Sequence, residues 1–194
     1  MNRRMFLDNF TIIEPGSPLD VSFVPPLVRR RLSPLQKIFF ALAKSAETSP
    51  SEFVVFATRD GEDTLTRRIV DDFHADGSVS PHRFSASVYN AAPGLWSVFT
   101  ANRSAYTAVA AGEDTMECGI LESLERSGPV LFVYAEETGG GYGAAFRLGA
   151  DSGSEVEIGE GDLSRGPLTF AALSDFLNGV TDTLCGRYIT LRRV

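Results

Sequence analysis

The sequence predicts an α/β domain built on a parallel or mixed sheet flanked by helices, and three observations support this. The run 53–58, FVVFAT, is apolar nearly throughout, as expected for a strand in the middle of a sheet. A small-residue, β-compatible run at 105–111 is followed by a helical pattern over 114–126. The short apolar run 130–134 then indicates a buried strand. Strand, tight turn, helix and strand form a βαβ unit, which requires parallel pairing.

The elements before the run FVVFAT follow from local patterns. Residues 6–13 indicate a first strand, and a proline-rich loop follows it. Ser33 and Pro34 then place a hydroxyl cap and a proline at the start of an amphipathic helix. This helix is expected to end near Ser49 and Pro50.

Two further helices are predicted between FVVFAT and the run 105–111. The first is amphipathic and covers 65–73. The second opens with a Ser-Pro pair and runs over 80–95. Gly94 weakens this second helix but also permits close packing against it.

The chain after Tyr134 is richer in glycine. The sequence ETGGGYGAA indicates a hairpin turn or linker, and it lacks the lysine and following Ser or Thr of a phosphate-binding loop. Two strands are predicted at 146–148 and 156–158. A last helix starts at Pro167, and a last strand covers 188–191.

Composition excludes several classes of protein. The 194-residue chain is 43% hydrophobic and has a net charge of −7, which argues against nucleic acid as a partner. Cys118 and Cys185 do not form a disulfide framework, so a reducing, cytoplasmic compartment is expected. His74 and His82 lie near neither cysteine, so no metal or other cofactor is expected. No apolar run has the length of a membrane span, and we expect no secretory signal.

Two interpretations of the acidic pair Glu113 and Asp114 remain open. Both lie where the helix 114–126 begins, so they are candidates for caps that face the positive end of the helix dipole. An enzyme can use the same position to activate a nucleophile. Cys118 lies about a turn and a half further along, without that advantage, and is interpreted as a core residue.

The order of motifs resembles a known family. SPHRFSASVYNAAPG, SAYTAVAAGEDT and PVLFVYAEE, in this order, resemble the N-terminal half of β-ketoacyl synthases, and VFATRDGED followed by RRIV is similar to the short members of aryl polyene pathways. The resemblance covers roughly residues 24–137. It implies a thiolase-like half with a mixed, five-stranded-type sheet flanked by helices. Residues 1–194 would then form a single domain, with 135–194 as a divergent tail that completes the sheet.

The same resemblance gives a register for the active-site turn. When Asn90 and Gly94 are aligned with the Asn-x-x-x-Gly of condensing enzymes, Glu113 falls at the position of their nucleophilic cysteine. A rival register puts Asn102 there but leaves the run 105–111 without a counterpart. Neither register supplies a cysteine, so no catalytic residue is predicted. The resemblance implies a candidate pocket or turn made up of Asn90, Gly94, Gly112, Glu113, Asp114 and Thr115.

The histidines also differ from the pattern of the family. Condensing enzymes draw two histidines, or a histidine and an asparagine, from a C-terminal half, and this sequence has no histidine after His82. We expect the chain to end before such a half. The resemblance therefore implies a non-catalytic subunit of the chain-length-factor type. Its partner would be a complete β-ketoacyl synthase, with which it would shape the tunnel for a growing polyene chain. A second copy of the chain or an acyl carrier protein is a further candidate partner.

Two alternatives to this reading remain open. The chain could be a small thioester-acting enzyme in which Glu113 is the general acid or base, although no base partner for it can be named. It could also be a homodimeric module that binds an acyl chain or an acyl carrier protein without chemistry. For association, the resemblance implies an antiparallel interface strand made up of Val130, Leu131, Phe132, Val133 and Tyr134.

Overall fold

The computed structural model describes residues 3–46, 52–149 and 153–194. The strands are β1 (Arg3–Ile13), β2 (Phe53–Ala57), β3 (Tyr106–Val109), β4 (Val130–Glu136), β5 (Tyr142–Leu148), β6 (Ser154–Glu160), β7 (Thr183–Cys185) and β8 (Ile189–Arg193). The helices are α1 (Pro26–Arg29), α2 (Pro34–Ala46), α3 (Asp63–Asp76), α4 (Pro81–Ala86), α5 (Ala91–Thr100), α6 (Thr115–Leu124) and α7 (Phe170–Leu177).

All of these strands belong to one mixed sheet with the order β3-β2-β4-β5-β1-β6-β8-β7. β2 pairs parallel with both β3 and β4, whereas β5 pairs antiparallel with β4 and β1. The predicted α/β class is therefore confirmed. β3 and β4, the two strands of the predicted βαβ unit, are parallel, but β2 lies between them. The sheet is wider than the expected five strands, because β6, β8 and β7 extend it beyond β1.

Helices cover both faces of the sheet. On one face α2 and α5 pack over an aromatic cluster, in which the rings of Phe39 and Phe56 are 5.0 Å apart and Trp96 is fully buried. On the other face α6 and α7 pack over a second cluster that includes Ile120 and Phe132. Side chains of β2 and β4 alternate between the two clusters, as strands buried on both faces require.

The structure contradicts the predicted interface strand, which comprised Val130, Leu131, Phe132, Val133 and Tyr134. These residues form most of β4, which is hydrogen-bonded to β2 on one side and to β5 on the other. All of them are buried. A strand with both edges paired cannot add a strand from a second chain. Within the described residues, the sheet ends instead at β3 and β7.

The helix predicted over 80–95 is two helices, α4 and α5, separated by residues 87–90. Ser87 explains the break, because its backbone N–H and its hydroxyl both donate to the carbonyl of Phe84, at 3.2 and 2.9 Å. A serine hydroxyl that competes for a backbone acceptor in this way favours the end of a helix.

Some helix ends also differ from the predictions. The last long helix begins at Phe170 rather than at Pro167, because the Thr169 hydroxyl accepts a hydrogen bond from the N–H of Ala172 and caps it. The predicted end of α2 near residues 49–50 lies outside the described residues. The elements α1 and β7 were not predicted, because they are too short to show a period.

Candidate functional site

The turn between β3 and α6 is held by Thr115. Gly112 adopts the left-handed conformation with a φ of +60°, which glycine takes without strain. The Thr115 hydroxyl accepts a hydrogen bond from the N–H of Ala111 at 2.8 Å and donates one to the carbonyl of Gly112 at 2.7 Å. The threonine, rather than an acid, therefore satisfies the polar groups of the turn.

The prediction that Glu113 and Asp114 cap the helix is wrong. Neither side chain makes a capping hydrogen bond, and Glu113 is exposed. Within the described part of the chain Glu113 has no side-chain hydrogen bond. The Asp114 carboxylate turns instead to Arg187, with a 2.8 Å ion pair, and accepts a hydrogen bond from the Tyr188 hydroxyl at 3.1 Å.

A residue that the sequence analysis missed, Glu117, is fully buried beside the turn. Its carboxylate accepts hydrogen bonds from the backbone N–H groups of Arg187, Tyr188 and Ile189, at 3.1, 2.5 and 2.9 Å. A Cβ at Gly186 would lie 2.2 Å from Glu117 Oε1, so the loop needs glycine there. The signal was present in the sequence, because the positions three, four and seven residues after Glu117 are all apolar.

A cavity of about 290 Å³ adjoins the turn. Its lining includes Arg59, Glu113, Thr115, Tyr134, Tyr142 and Phe170. Burial raises the pKa of the Tyr134 phenol well above its usual range, and Glu136 adds to the rise, so the phenol stays protonated. The buried Glu136 carboxylate accepts hydrogen bonds from the N–H groups of Arg59 and Asp60, which fixes the loop after β2.

Cys118 does not supply a reactive thiolate for this cavity. Burial raises the pKa of its thiol, and the charges of Asp114 and Glu117 raise it further. The thiol therefore stays protonated at neutral pH. Cys118 and Cys185 are both free and half-buried.

Asn90 and Gly94 lie elsewhere, so the structure does not bring the six predicted turn residues together. They line a separate cavity of about 480 Å³ beside α4 and α5, which shares no lining residue with the cavity at the turn. A Cβ on Gly94 would lie 3.1 Å from the Tyr106 hydroxyl, so the glycine permits this tyrosine to approach α5 closely.

The outer edge of β3 lies next to this second cavity. The carbonyls of Ala105 and Val109 accept hydrogen bonds from β2, so the peptide groups of Tyr106 and Ala108 face away from the sheet. Apolar side chains are exposed on β3 and on α5, the helix next to it: Tyr106 is 37% exposed, Leu95 40% and Val98 81%.

Searches for two other kinds of site gave negative results for the described residues. In the ranges 3–46, 52–149 and 153–194, His, Cys, Asp and Glu side chains form no group of three that could hold a metal ion. Across the same ranges, every helix is too short or too polar to cross a membrane.

Comparison with known proteins identifies the family. The family model described as "Beta-ketoacyl synthase, N-terminal domain" matches residues 8–140. No curated protein sequence matches the chain significantly.

Several solved structures share the fold. A chain from "Ketosynthase (ApeO) in Complex with its Chain Length Factor (ApeC) from Xenorhabdus doucetiae" is 18% identical with a TM-score of 0.73, and the match covers 98% of this chain and 99% of that one. A chain from "The ishigamide ketosynthase/chain length factor" is 14% identical with a TM-score of 0.58. A chain from the complex of AntDE with the type II polyketide synthase acyl-carrier protein AntF is 12% identical with a TM-score of 0.60.

The extent of the match differs among these structures. The ishigamide match covers 75% of this chain and 54% of the other chain, and the AntDE match covers 76% and 62%. This chain thus spans little more than half the length of those two, but nearly the full length of the matched Xenorhabdus doucetiae chain.

Proposed function

Since the chain belongs to the β-ketoacyl synthase N-terminal domain family, we propose that it is a non-catalytic, chain-length-factor-like subunit. It acts with a complete ketosynthase in polyene or fatty-acid-type chain elongation. One observation supports the proposal: the turn between β3 and α6 presents Glu113, exposed and without a base partner among the described residues, where the register proposed from the sequence expects the family's nucleophile. The nearly full-length match to a chain from a ketosynthase–chain length factor complex supports it.

The chemistry of the turn favours a subunit that forms no acyl intermediate. A carboxylate is a weak nucleophile toward a thioester, and the anhydride that it would form hydrolyses. The thiol of Cys118, on the helix that follows the turn, is kept protonated by burial and by two neighbouring carboxylates. The partner ketosynthase would therefore supply the nucleophile and the groups that drive decarboxylation.

The outer edge of β3 is our proposed docking site for the partner. Its outward peptide groups at Tyr106 and Ala108 can pair with a strand of another chain, which would continue the sheet. The exposed Leu95 and Val98 beside it would be covered by the same contact. A second copy of this chain is the alternative occupant, in which case the protein is a homodimer.

The 480 Å³ cavity opens beside this edge, and we propose that it forms part of the wall around the growing chain. Its apolar lining includes Val88, Ala91, Leu95 and the Tyr106 ring. A partner docked on β3 would close its open side and exclude water. An apolar cavity that is completed at an interface suits a hydrophobic polyene chain.

The proposal is tested by weakening the β3 edge alone. Ala108→Pro removes an N–H that faces outward, while pairing with β2 is kept. The tagged chain is purified from its host, and mass spectrometry identifies any full-length ketosynthase that co-purifies. We expect wild type to retain the ketosynthase and Ala108→Pro to lose it.

Thr183→Pro is the matched control, because it removes an outward N–H from β7, at the opposite edge of the sheet. This control should retain the ketosynthase. Retention by Ala108→Pro at the wild-type level would contradict docking at β3. A wild-type sample that contains only copies of this chain would favour the homodimeric binding module.

A further inference from the structure

Arginines from three separate elements surround a cavity of about 270 Å³. Its charged lining residues are Arg30, Arg31, Arg68 and Arg83. Arg83 is paired with Asp72. Within the described ranges, the other three arginines have no ion-pair partner, and no carboxylate lines the cavity.

This concentration of positive charge is unusual in a chain with a net charge of −7. Arg30 and Arg31 follow α1, whereas Arg68 lies on α3 and Arg83 on α4. Arg30, Arg31 and Arg68 have no ion-pair partner among the described residues, so they repel one another, and a bound anion removes that repulsion. The planar guanidinium groups favour a phosphate, because its several oxygens can accept from more than one arginine at once.

The charged cavity adjoins the apolar cavity of about 480 Å³. The two share Arg31, Leu32, Gln36, His82 and Ala86 in their linings. Beyond these shared residues, the charged chamber adds three arginines among polar and apolar residues, and the other chamber adds no charged residue and a mostly apolar lining that includes Val88 and Leu95. The arrangement therefore matches a ligand with an anionic head and an apolar tail.

We propose that this double cavity binds a phosphate ester, with its phosphate among Arg30, Arg31 and Arg68 and its organic group in the apolar chamber. All lining residues belong to this chain, so the site needs no ketosynthase, although its apolar chamber is the cavity proposed above as part of the wall around the growing chain. The inference goes beyond the proposed function because it assigns a ligand to the arginine chamber, and phosphate binding is measured separately from docking at β3.

The test measures binding of inorganic phosphate and octyl phosphate to the isolated chain by calorimetry at low salt. We expect octyl phosphate to bind at least about tenfold more tightly, because its tail buries apolar surface. Arg68→Gln should weaken both ligands by about tenfold or more. Leu95→Ser should remove only the advantage of the octyl chain.

Arg67→Gln is the matched control, since Arg67 precedes Arg68 on α3, pairs with Asp63 and lies outside the cavity. Its affinity for both ligands should stay within about twofold of wild type. Equal losses in the two variants would mean general charge attraction and would overturn the proposal. Undetectable binding of octyl phosphate at millimolar concentration would overturn it as well.

Two sources could supply such an ester, and sedimentation with vesicles distinguishes them. Phosphatidylcholine vesicles that contain phosphatidic acid present the phosphate on a lipid, whereas octyl phosphate presents it in solution. Sedimentation that Arg68→Gln abolishes would assign the site to a lipid headgroup. Binding of octyl phosphate without sedimentation would assign it to a soluble ester. Sedimentation that persists in Arg68→Gln would contradict a role for this cavity at the membrane.

Discussion

The two sides of β3 differ sharply. At the end of β3, Asp114 and Glu117 are fully engaged with the loop that contains Arg187 and Tyr188. On the side of α4 and α5, Arg30, Arg31 and Arg68 lack ion-pair partners among the described residues, apolar side chains are exposed, and an open cavity lies beside the outer edge of β3. Asp114 and Glu117 thus hold the fold together, while the open cavities and the exposed apolar side chains lie on the other side.

The largest effect is expected on the turn side, at Glu117. Glu117→Ala leaves three backbone N–H groups without an acceptor, so unfolding free energy should fall by about 4 kcal/mol, at roughly 1–3 kcal/mol for each group. The control Glu113→Ala removes an exposed carboxylate and should cost less than about 0.5 kcal/mol. Urea denaturation measures both values. Similar losses in the two variants would contradict the structural difference between these acids.

A pH-dependent change in stability is expected on the side of α4 and α5, which we call the cleft side. It arises at Glu62, which accepts a hydrogen bond at 2.8 Å from Gln36 in the lining of both cavities there. Burial raises the pKa of Glu62 to about 7, against hydrogen bonds from Ser33 and Gln36, and Glu137 adds to the rise. The native state therefore keeps a proton that the unfolded chain releases above its ordinary pKa of 4.5. Stability is full below that value and is lost as the pH rises through about 7, by up to about 3 kcal/mol.

Glu62→Gln should remove the part of the pH-dependent loss of stability that Glu62 causes, so the variant should be more stable than wild type at about pH 8. A smaller slope of the same sign should remain, because burial also raises the pKa of Glu136. Denaturation at about pH 5 and about pH 8 measures the difference. An unchanged slope in the variant would show that Glu62 does not titrate in this range.

The smallest effect on stability is expected when a helix glycine on each side of β3 is replaced by alanine. A Cβ at Gly119 of α6 would lie 2.7 Å from Ala57 Cβ and 2.8 Å from the Phe132 ring, so Gly119→Ala should cost about 2 kcal/mol. A Cβ at Gly94 of α5 meets only the hydroxyl end of Tyr106, so Gly94→Ala should change stability by less than about 0.5 kcal/mol. Thermal unfolding measures both. A larger loss at Gly94 would mean that the cleft side is as tightly packed as the turn side.

The sequence predicted the βαβ unit well, because apolar runs and helical periods are local signals. It did not predict that both edges of β4 are paired within the chain, because strand order depends on pairing between segments that no local pattern shows. The run 130–134 is apolar on both faces, and this pattern indicates a strand inside a sheet. The pattern therefore already argued against an interface strand at 130–134.

The site was only partly predictable for the same reason. The register located the turn at Glu113 but could not show its exposure or the pairing of Asp114 with Arg187, which is distant in sequence. Likewise, Arg30, Arg68 and Arg83 converge through folding, and no spacing in the sequence indicates a common cavity.

The central claim is that this chain contributes a surface and not a reacting group. The most direct measurement uses the complex with its ketosynthase, prepared with wild type or Glu113→Gln and supplied with acyl and malonyl carrier thioesters. Mass spectrometry follows the product and any acyl adduct on this chain. We expect product formation within about twofold in the two complexes, and no acyl adduct on this chain, wild type or variant. An assembled Glu113→Gln complex that loses turnover would contradict the account and assign Glu113 a role as general acid or base.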